Sequence, residues 1–290
     1  MSSAPLKAWA DPARGEHTTH ANLREIQLPG AGAFALITLA DDNDRKPATF
    51  SPGSLLELGT LLEVVRKRAS AGELVGVGVT GQKSIFVAGA DLVAMKGLND
   101  PESARAMAGL GNDVFDSLAD MDVPTFAFIN GAAIGGGLEI ALAADYRTVS
   151  AGAKGIALPE AFLGLVPGWG GVYRLPRLIG PGNAVKVMIE NALANNKVLD
   201  GTAAFELGVA DTLVAPEDFL EQSLAWAAAV ITGIPEVCNP LAVRRKEKAN
   251  YADADWTLPS PEDAQWSRPR PPRPRRRRHV CWICSKAAII

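Results

Sequence analysis

PTFAFINGAAIGGGLEIALAAD, residues 124–145, decides how this chain folds. Its opening, TFAFI, is apolar and rich in β-preferring types, which reads as a buried strand. Three glycines, Gly135 to Gly137, then lead into LEIALAAD, which reads as the start of a helix. Glu139 is the one ionisable side chain between Pro124 and Ala144. A carboxylate among Ile, Leu and Ala is costly to bury unless something compensates for the lost water.

The same design recurs upstream. FVAGADLVAM, residues 86–95, ends a strand with Ala-Gly-Ala and starts a helix at Asp91. A helix start presents unpaired N–H groups and the positive end of the dipole, and glycine lets a ligand approach the backbone closely. Two such turns could aim two N–H groups at one oxygen, an oxyanion hole. Tight turns with close packing explain the glycines equally well. Downstream, IALPEAFLGLVPGWGG, residues 156–171, sets Glu160 among apolar residues and backbone punctuators. An isolated buried carboxyl has a raised pKa, and two close together couple and can divide acid and base roles. Salt-bridged structural glutamates are the plainer explanation for either acid alone.

Around these stretches strands and helices alternate. REIQLP and AFALITLA read as strands joined at Gly30-Ala31-Gly32. SPGSLLELGTLLEVVRKRASAG reads as an amphipathic helix from Ser51 to Gly72. LVGVGVT is a buried strand. Residues 101–121 form a helix with Met107, Leu110, Val114, Phe115 and Leu118 on one face. VYRLPRLIG, NAVKVMIENALA and PEDFLEQSLAWAAAVI are helical, and VADTLV is a short strand. The pattern predicts an α/β fold. GVGVTG, residues 76–81, has the spacing of a dinucleotide-binding loop, but its valines make the hexapeptide itself the strand, so NAD binding is not expected.

Composition narrows the chemistry. Of 290 residues, 48% are hydrophobic and 21% charged, as in ordinary globular proteins. The chain lacks a secretory h-region and a membrane-spanning run, and three cysteines make no disulfide framework, so a cytoplasmic protein is expected. The only histidines are His17, His20 and His279, which disfavours a histidine triad or metal site. No metal and no organic cofactor are expected. The net charge of −3 divides into −11 over residues 1–266 and +8 beyond. Residues 1–22 read as a flexible extension, 23–257 as the catalytic domain and 258–290 as a disordered Pro/Arg-rich tail.

The sequence resembles the crotonase superfamily, the enoyl-CoA hydratases and isomerases, from about Arg24 to Trp256. Three segments carry the likeness: VTGQKSIFVAGADLVAM, PTFAFINGAAIGGGLEIALAADYRTVS and ALPEAFLGLVPGWGGVYRLPRLIG. NDRKPATF and ALANNKVLDGTAAFELGVAD look most like the hydratase part of multifunctional fatty-acid oxidation proteins. No dinucleotide motif follows, so no dehydrogenase half is expected. The resemblance implies a crotonase-like spiral of ββα units with a helical C-terminal region, assembled as a homo-trimer or hexamer. It implies an acyl-CoA substrate whose thioester oxygen is held by the N–H groups of Ala90 and Gly136. Glu139 and Glu160 match the two glutamates of the hydratases, and isomerases often keep only the second. Substrate contacts fall on Ala88, Gly89, Asp91, Gly135, Pro159, Gly168 and Trp169, with Lys46 a weak candidate for the CoA phosphates. Trp169 stands where the family commonly has a small residue, which implies a reshaped acyl pocket. The expected activity is hydration of a trans-2-enoyl-CoA in fatty-acid β-oxidation. The alternatives are another crotonase reaction, such as enoyl-CoA isomerisation, or a non-catalytic protein whose Arg-rich tail binds nucleic acid. The body's negative charge opposes the last of these.

Overall fold

The computed structural model describes residues 18–43, 45–96 and 100–252. The tail expected over 258–290 lies outside the described residues, as do residues 1–17. The chain runs through β1 (Thr19–Leu28), β2 (Gly32–Asp41), α1 (Pro52–Ser70), β3 (Gly76–Gly81), β4 (Ile85–Val87) and α2 (Leu92–Met95). It continues with α3 (Pro101–Ala119), β5 (Thr125–Ile129), β6 (Ala132–Ile134), α4 (Gly136–Ala143), β7 (Tyr146–Ser150) and β8 (Lys154–Ala157). After a 3-10 turn at Glu160–Leu163 come α5 (Gly171–Ile179) and α6 (Pro181–Val185), which passes through a π turn, Lys186–Glu190, into Asn191–Leu193. β9 (Leu199–Asp200), α7 (Gly201–Glu206), β10 (Thr212–Val214), α8 (Phe219–Thr232) and α9 (Pro235–Ala252) complete it.

Two sheets organise these elements. A six-stranded sheet has the order β1-β2-β3-β5-β7-β10, and a four-stranded sheet the order β4-β6-β8-β9. β1 and β2 pair antiparallel, while β2, β3, β5, β7 and β10 are parallel. The chain therefore lays one strand in the large sheet and the next in the small sheet, then repeats: β3 and β4, β5 and β6, β7 and β8. This is the spiral of ββα turns that the resemblance implies.

The central strands are buried throughout, which is why they read as continuous apolar runs. GVGVTG is indeed β3, with all six residues buried. α1 starts at a capping box: Ser51 Oγ accepts the Ser54 N–H at 3.2 Å and Ser54 Oγ accepts the Ser51 N–H at 2.8 Å. It buries Leu55, Leu58, Leu62 and Val65 in the same core that receives Met107, Leu110, Val114, Phe115 and Leu118 of α3. Among the described residues no single helix is long and apolar enough to cross a membrane.

One boundary needs correction. Residues 19–22, read as part of a loose extension, are the start of β1. They show no alternation because their partners are distant. Thr19 is in register with Asp41, Thr18 Oγ1 donates to Asp41 Oδ2 at 2.6 Å, and the Ala21 N–H donates to Glu57 Oε1 at 2.8 Å.

Candidate active site

The small sheet brings the site together. β4, β6 and β8 are parallel neighbours, so their carboxyl ends lie side by side. From those ends emerge Ala88–Asp91, Gly135–Gly136 and Pro159–Glu160, three of the stretches singled out from the sequence. Ligands of open parallel sheets bind beyond such strand ends.

Backbone geometry then fixes two amides. Phe50 forms a parallel bridge with Ala90: the Phe50 N–H donates to the Gly89 carbonyl at 2.8 Å, and the Asp91 N–H to the Phe50 carbonyl at 2.9 Å. In a trans peptide the C=O and the next N–H point in opposite directions, so the Ala90 N–H is turned away from Phe50. The same reasoning applies at α4. The Gly135 carbonyl accepts the Glu139 N–H at 3.0 Å inside the helix, so the Gly136 N–H points out of the helix start. Neither N–H has a hydrogen-bond partner among the described residues. The two turns touch: a Cβ on Gly89 would lie 2.8 Å from the Ile134 carbonyl oxygen and 3.6 Å from the Gly136 nitrogen. Gly135 adopts φ 53°, a conformation that favours glycine. Gly137 packs so closely on the Val87 carbonyl that a side chain has no room.

Glu139 lies in the first turn of α4 and is 2% exposed. Its Oε1 accepts the N–H groups of Trp169 and Gly171, both at 2.8 Å. Gly170 between them has φ 104°, so residues 169–171 form a concave nest of amides around the carboxylate oxygen. Burial pushes the Glu139 carboxyl up from its ordinary range, while the Gly171 and Trp169 amides and the Arg174 guanidinium pull it back. Its Oε2 makes no hydrogen bond among the described residues.

Glu160 opens the 3-10 turn after β8. Its Oε2 is buried without a hydrogen-bond partner. Burial pushes its carboxyl up to about 7; its own amide opposes the shift and the charge of Glu139 adds to it. The two glutamates are therefore close enough to sense each other, and their environments differ. Glu139 accepts two amides from a separate loop, whereas Glu160 has only its own amide to offset desolvation, and its Oε2 is left without a partner. Environments of this kind separate a base from an acid.

The remaining expected residues have varied surroundings. Trp169 is 6% exposed, packed edge-on against Phe50 and Phe115, with its Nε1 donating to the Met107 carbonyl at 3.3 Å. The indole fills the space beside Gly136 and Gly111, where a Cβ would collide with it. Gly168 is exposed, and its carbonyl accepts Asn112 Nδ2 at 2.6 Å. Pro159 caps the turn of Glu160. The Asp91 carboxylate is committed to the start of α2, accepting the N–H groups of Val93 and Ala94 at 2.8 and 3.2 Å. Lys46 is exposed in the loop before Phe50, and no described contact ties it to the site. Three participants escaped the sequence reading: the Phe50 bridge, the amides of Trp169 and Gly171, and Arg174. No local signal marks them, because each has a partner 30 or more residues away: Ala90 for Phe50, Glu139 for the two amides and Asp116 for Arg174. Among the described residues no group of three or more His, Cys, Asp or Glu side chains is placed to hold a metal ion.

Comparison with known proteins gives the family and the fold. The enoyl-CoA hydratase/isomerase family model matches residues 31–255. The fatty acid oxidation complex subunit alpha of Idiomarina loihiensis is 42% identical over 172 residues, covering 59% of this chain and 23% of that protein. The same subunit of Pseudomonas aeruginosa is 40% identical over 186 residues, covering 63% and 25%. The chain thus spans about a quarter of the length of these curated relatives. Among solved structures, Pseudomonas aeruginosa DspI superposes with a TM-score of 0.64 at 30% identity, over 83% of this chain and 90% of that one. An enoyl-CoA hydratase from Bacillus anthracis shares the fold, with a TM-score of 0.59 at 24% identity over 81% and 90%.

Proposed function

The chain belongs to the enoyl-CoA hydratase/isomerase family, and from that premise we propose that it adds water to a trans-2-enoyl-CoA to give a 3-hydroxyacyl-CoA in fatty-acid β-oxidation. The observation that carries this reading is the pair of unlike carboxyls, buried Glu139 and half-buried Glu160, beside two unpaired amides. The names of the curated relatives support the oxidative setting.

The thioester oxygen sits between the N–H groups of Ala90 and Gly136. As the reaction proceeds, negative charge grows on that oxygen, and each preorganised donor is worth roughly 3–4 kcal/mol to the transition state. Ionised Glu139 removes a proton from a water whose oxygen bonds to the β-carbon. Protonated Glu160 gives its proton to the α-carbon, and the conjugated double bond is consumed. One proton passing from Glu139 to Glu160 restores the starting state. The unmet hydrogen-bonding capacity of Glu160 Oε2 suits a group that must hold a proton before delivering it. The reaction needs no metal or organic cofactor, since CoA is part of the substrate.

Assembly as a homo-trimer or hexamer is part of the same proposal. Phe162, Leu163, Leu165, Val166, Val172 and Tyr173, which follow Glu160 and open α5, are exposed. Apolar side chains grouped in this way favour a protein partner, and light scattering of the purified chain gives the subunit number.

The test of the activity is loss of the conjugated-thioester absorbance of crotonyl-CoA, for the full chain and for Glu139→Gln and Glu160→Gln. Turnover by the unmodified chain that falls at least a hundredfold in both variants supports hydration. Undiminished turnover in either variant refutes the two-carboxylate assignment. Conversion of a 3-enoyl-CoA to the 2-enoyl isomer without hydration shifts the assignment to isomerase.

A further inference from the structure

Arg174 is hydrogen-bonded to the backbone that holds Glu139. It lies on α5 with a side chain 10% exposed. Its Nη1 donates to the Trp169 carbonyl at 2.9 Å, and its Nη2 to Asp116 Oδ1 on α3 at 2.6 Å. The Trp169 carbonyl shares its peptide with the Gly170 N–H, between the two amides that donate to Glu139 Oε1. Fixing that peptide on one side therefore sets the amides on the other. Gly170 completes the fit, because a Cβ there would collide with the guanidinium. The chain of bonds runs from Asp116 through Arg174, the Trp169–Gly170 peptide and the nest to the carboxylate of Glu139.

We propose that Arg174, anchored by Asp116, is a positioning residue for this site: it locks the Trp169–Gly171 nest and so fixes the orientation of Glu139. Its guanidinium charge also pulls the Glu139 carboxyl toward the ionised form. The inference rests on the reading of Glu139 as the base of the hydration. Lysine at 174 keeps the charge but cannot make two divergent bonds from a planar fork, whereas glutamine keeps one polar end and loses the charge. Asparagine at 116 still offers an oxygen to Nη2, and alanine does not.

Two measurements on the full-length chain test it. The first is crotonyl-CoA hydration against pH for Arg174→Gln, Arg174→Lys, Asp116→Asn and Asp116→Ala. The second follows glutamate carboxyl-carbon NMR shifts against pH, with the Glu139 resonance assigned by its loss in Glu139→Gln. Arg174→Gln is expected to lower kcat at least tenfold with KM within about threefold. Its Glu139 midpoint, and the acid limb of the rate profile, should rise by about one pH unit. Asp116→Asn should stay near the unmodified chain while Asp116→Ala moves part of the way toward Arg174→Gln. If Arg174→Gln fails to fold, Arg174→Lys and Asp116→Ala carry the same comparison. An unmoved Glu139 midpoint together with unchanged kcat overturns the proposal, as does a loss confined to KM. Full activity in Glu139→Gln instead refutes the underlying hydratase reading, and the NMR titration still reports whether Arg174 governs Glu139.

Discussion

Gly135 faces the carboxyl of Glu160 so closely that a Cβ on it would lie 2.8 Å from Glu160 Oε1. The glycine that lets the backbone turn into α4 is thus also the wall against which the second carboxyl rests. One residue links the amide of the Gly135–Gly136 turn to the acid, and its φ of 53° disfavours any side chain.

Gly135→Ala is therefore expected to do two separable things. The positive φ costs about 1–2 kcal/mol of stability, measurable by urea unfolding. The methyl group displaces the Glu160 carboxyl, and crotonyl-CoA turnover should fall by a larger factor than the stability loss explains. A variant that is destabilised but turns over normally would show that the Glu160 carboxyl needs no such wall.

The pH dependence follows from Glu160. Its folded-state pKa of about 7 stands above the ordinary carboxylate value of 4.5. Between those values the folded chain holds more protons than the unfolded one, so stability falls as pH rises through that window. The upper bound on the loss is roughly 3 kcal/mol. Unfolding of the chain and of Glu160→Gln at pH 5, 6 and 7 isolates this contribution, and the two should converge toward low pH. With Glu160 as the proton donor proposed above, kcat/KM for hydration should fall above about pH 7 in the same way.

Parts of this candidate site stand out in the sequence for physical reasons. A lone acid in an apolar run must have a compensating partner or task, and that flagged Glu139 before any fold was known. Long buried strands such as β3 and β5 announce themselves by composition. β6 and β8, with three and four residues, are too short for any period to emerge. Yet their carboxyl ends deliver Gly135–Gly136 and Glu160. The nest at residues 169–171 was hidden for a related reason: PGWGG specifies a tight turn, but only the fold decides that two of its amides meet a carboxylate 30 residues earlier. β1 shows the opposite failure, where the mostly polar residues 19–22 concealed a strand held by distant partners.

Trp169 shapes the side of the site nearest α3. Trp169→Ala is expected to cost about 3–5 kcal/mol through lost burial and the cavity between Phe50 and Phe115. The bond from its backbone N–H to Glu139 survives the change, so Glu139 keeps its seat. The vacated space adjoins Gly136, and kcat/KM for an eight-carbon enoyl-CoA should rise relative to crotonyl-CoA. An unchanged ratio would show that the indole does not limit acyl length.

The seat of that indole supplies the last prediction. Gly111 on α3 leaves the room that Trp169 Nε1 occupies, and a Cβ there would collide with the ring. Gly111 is helical and buried, and its backbone needs no unusual φ. An alanine should therefore cost stability through overpacking alone, about 1–3 kcal/mol, partly offset by roughly 1 kcal/mol of gained helix propensity. If the clash is with the indole, the penalty disappears when the indole does. In the double-mutant cycle of Gly111→Ala with Trp169→Ala, the alanine at 111 should turn from destabilising to neutral or stabilising. The expected coupling is about 0.5–3 kcal/mol, read from urea unfolding of the four chains. Additive effects would mean that Gly111 is required by some contact other than Trp169.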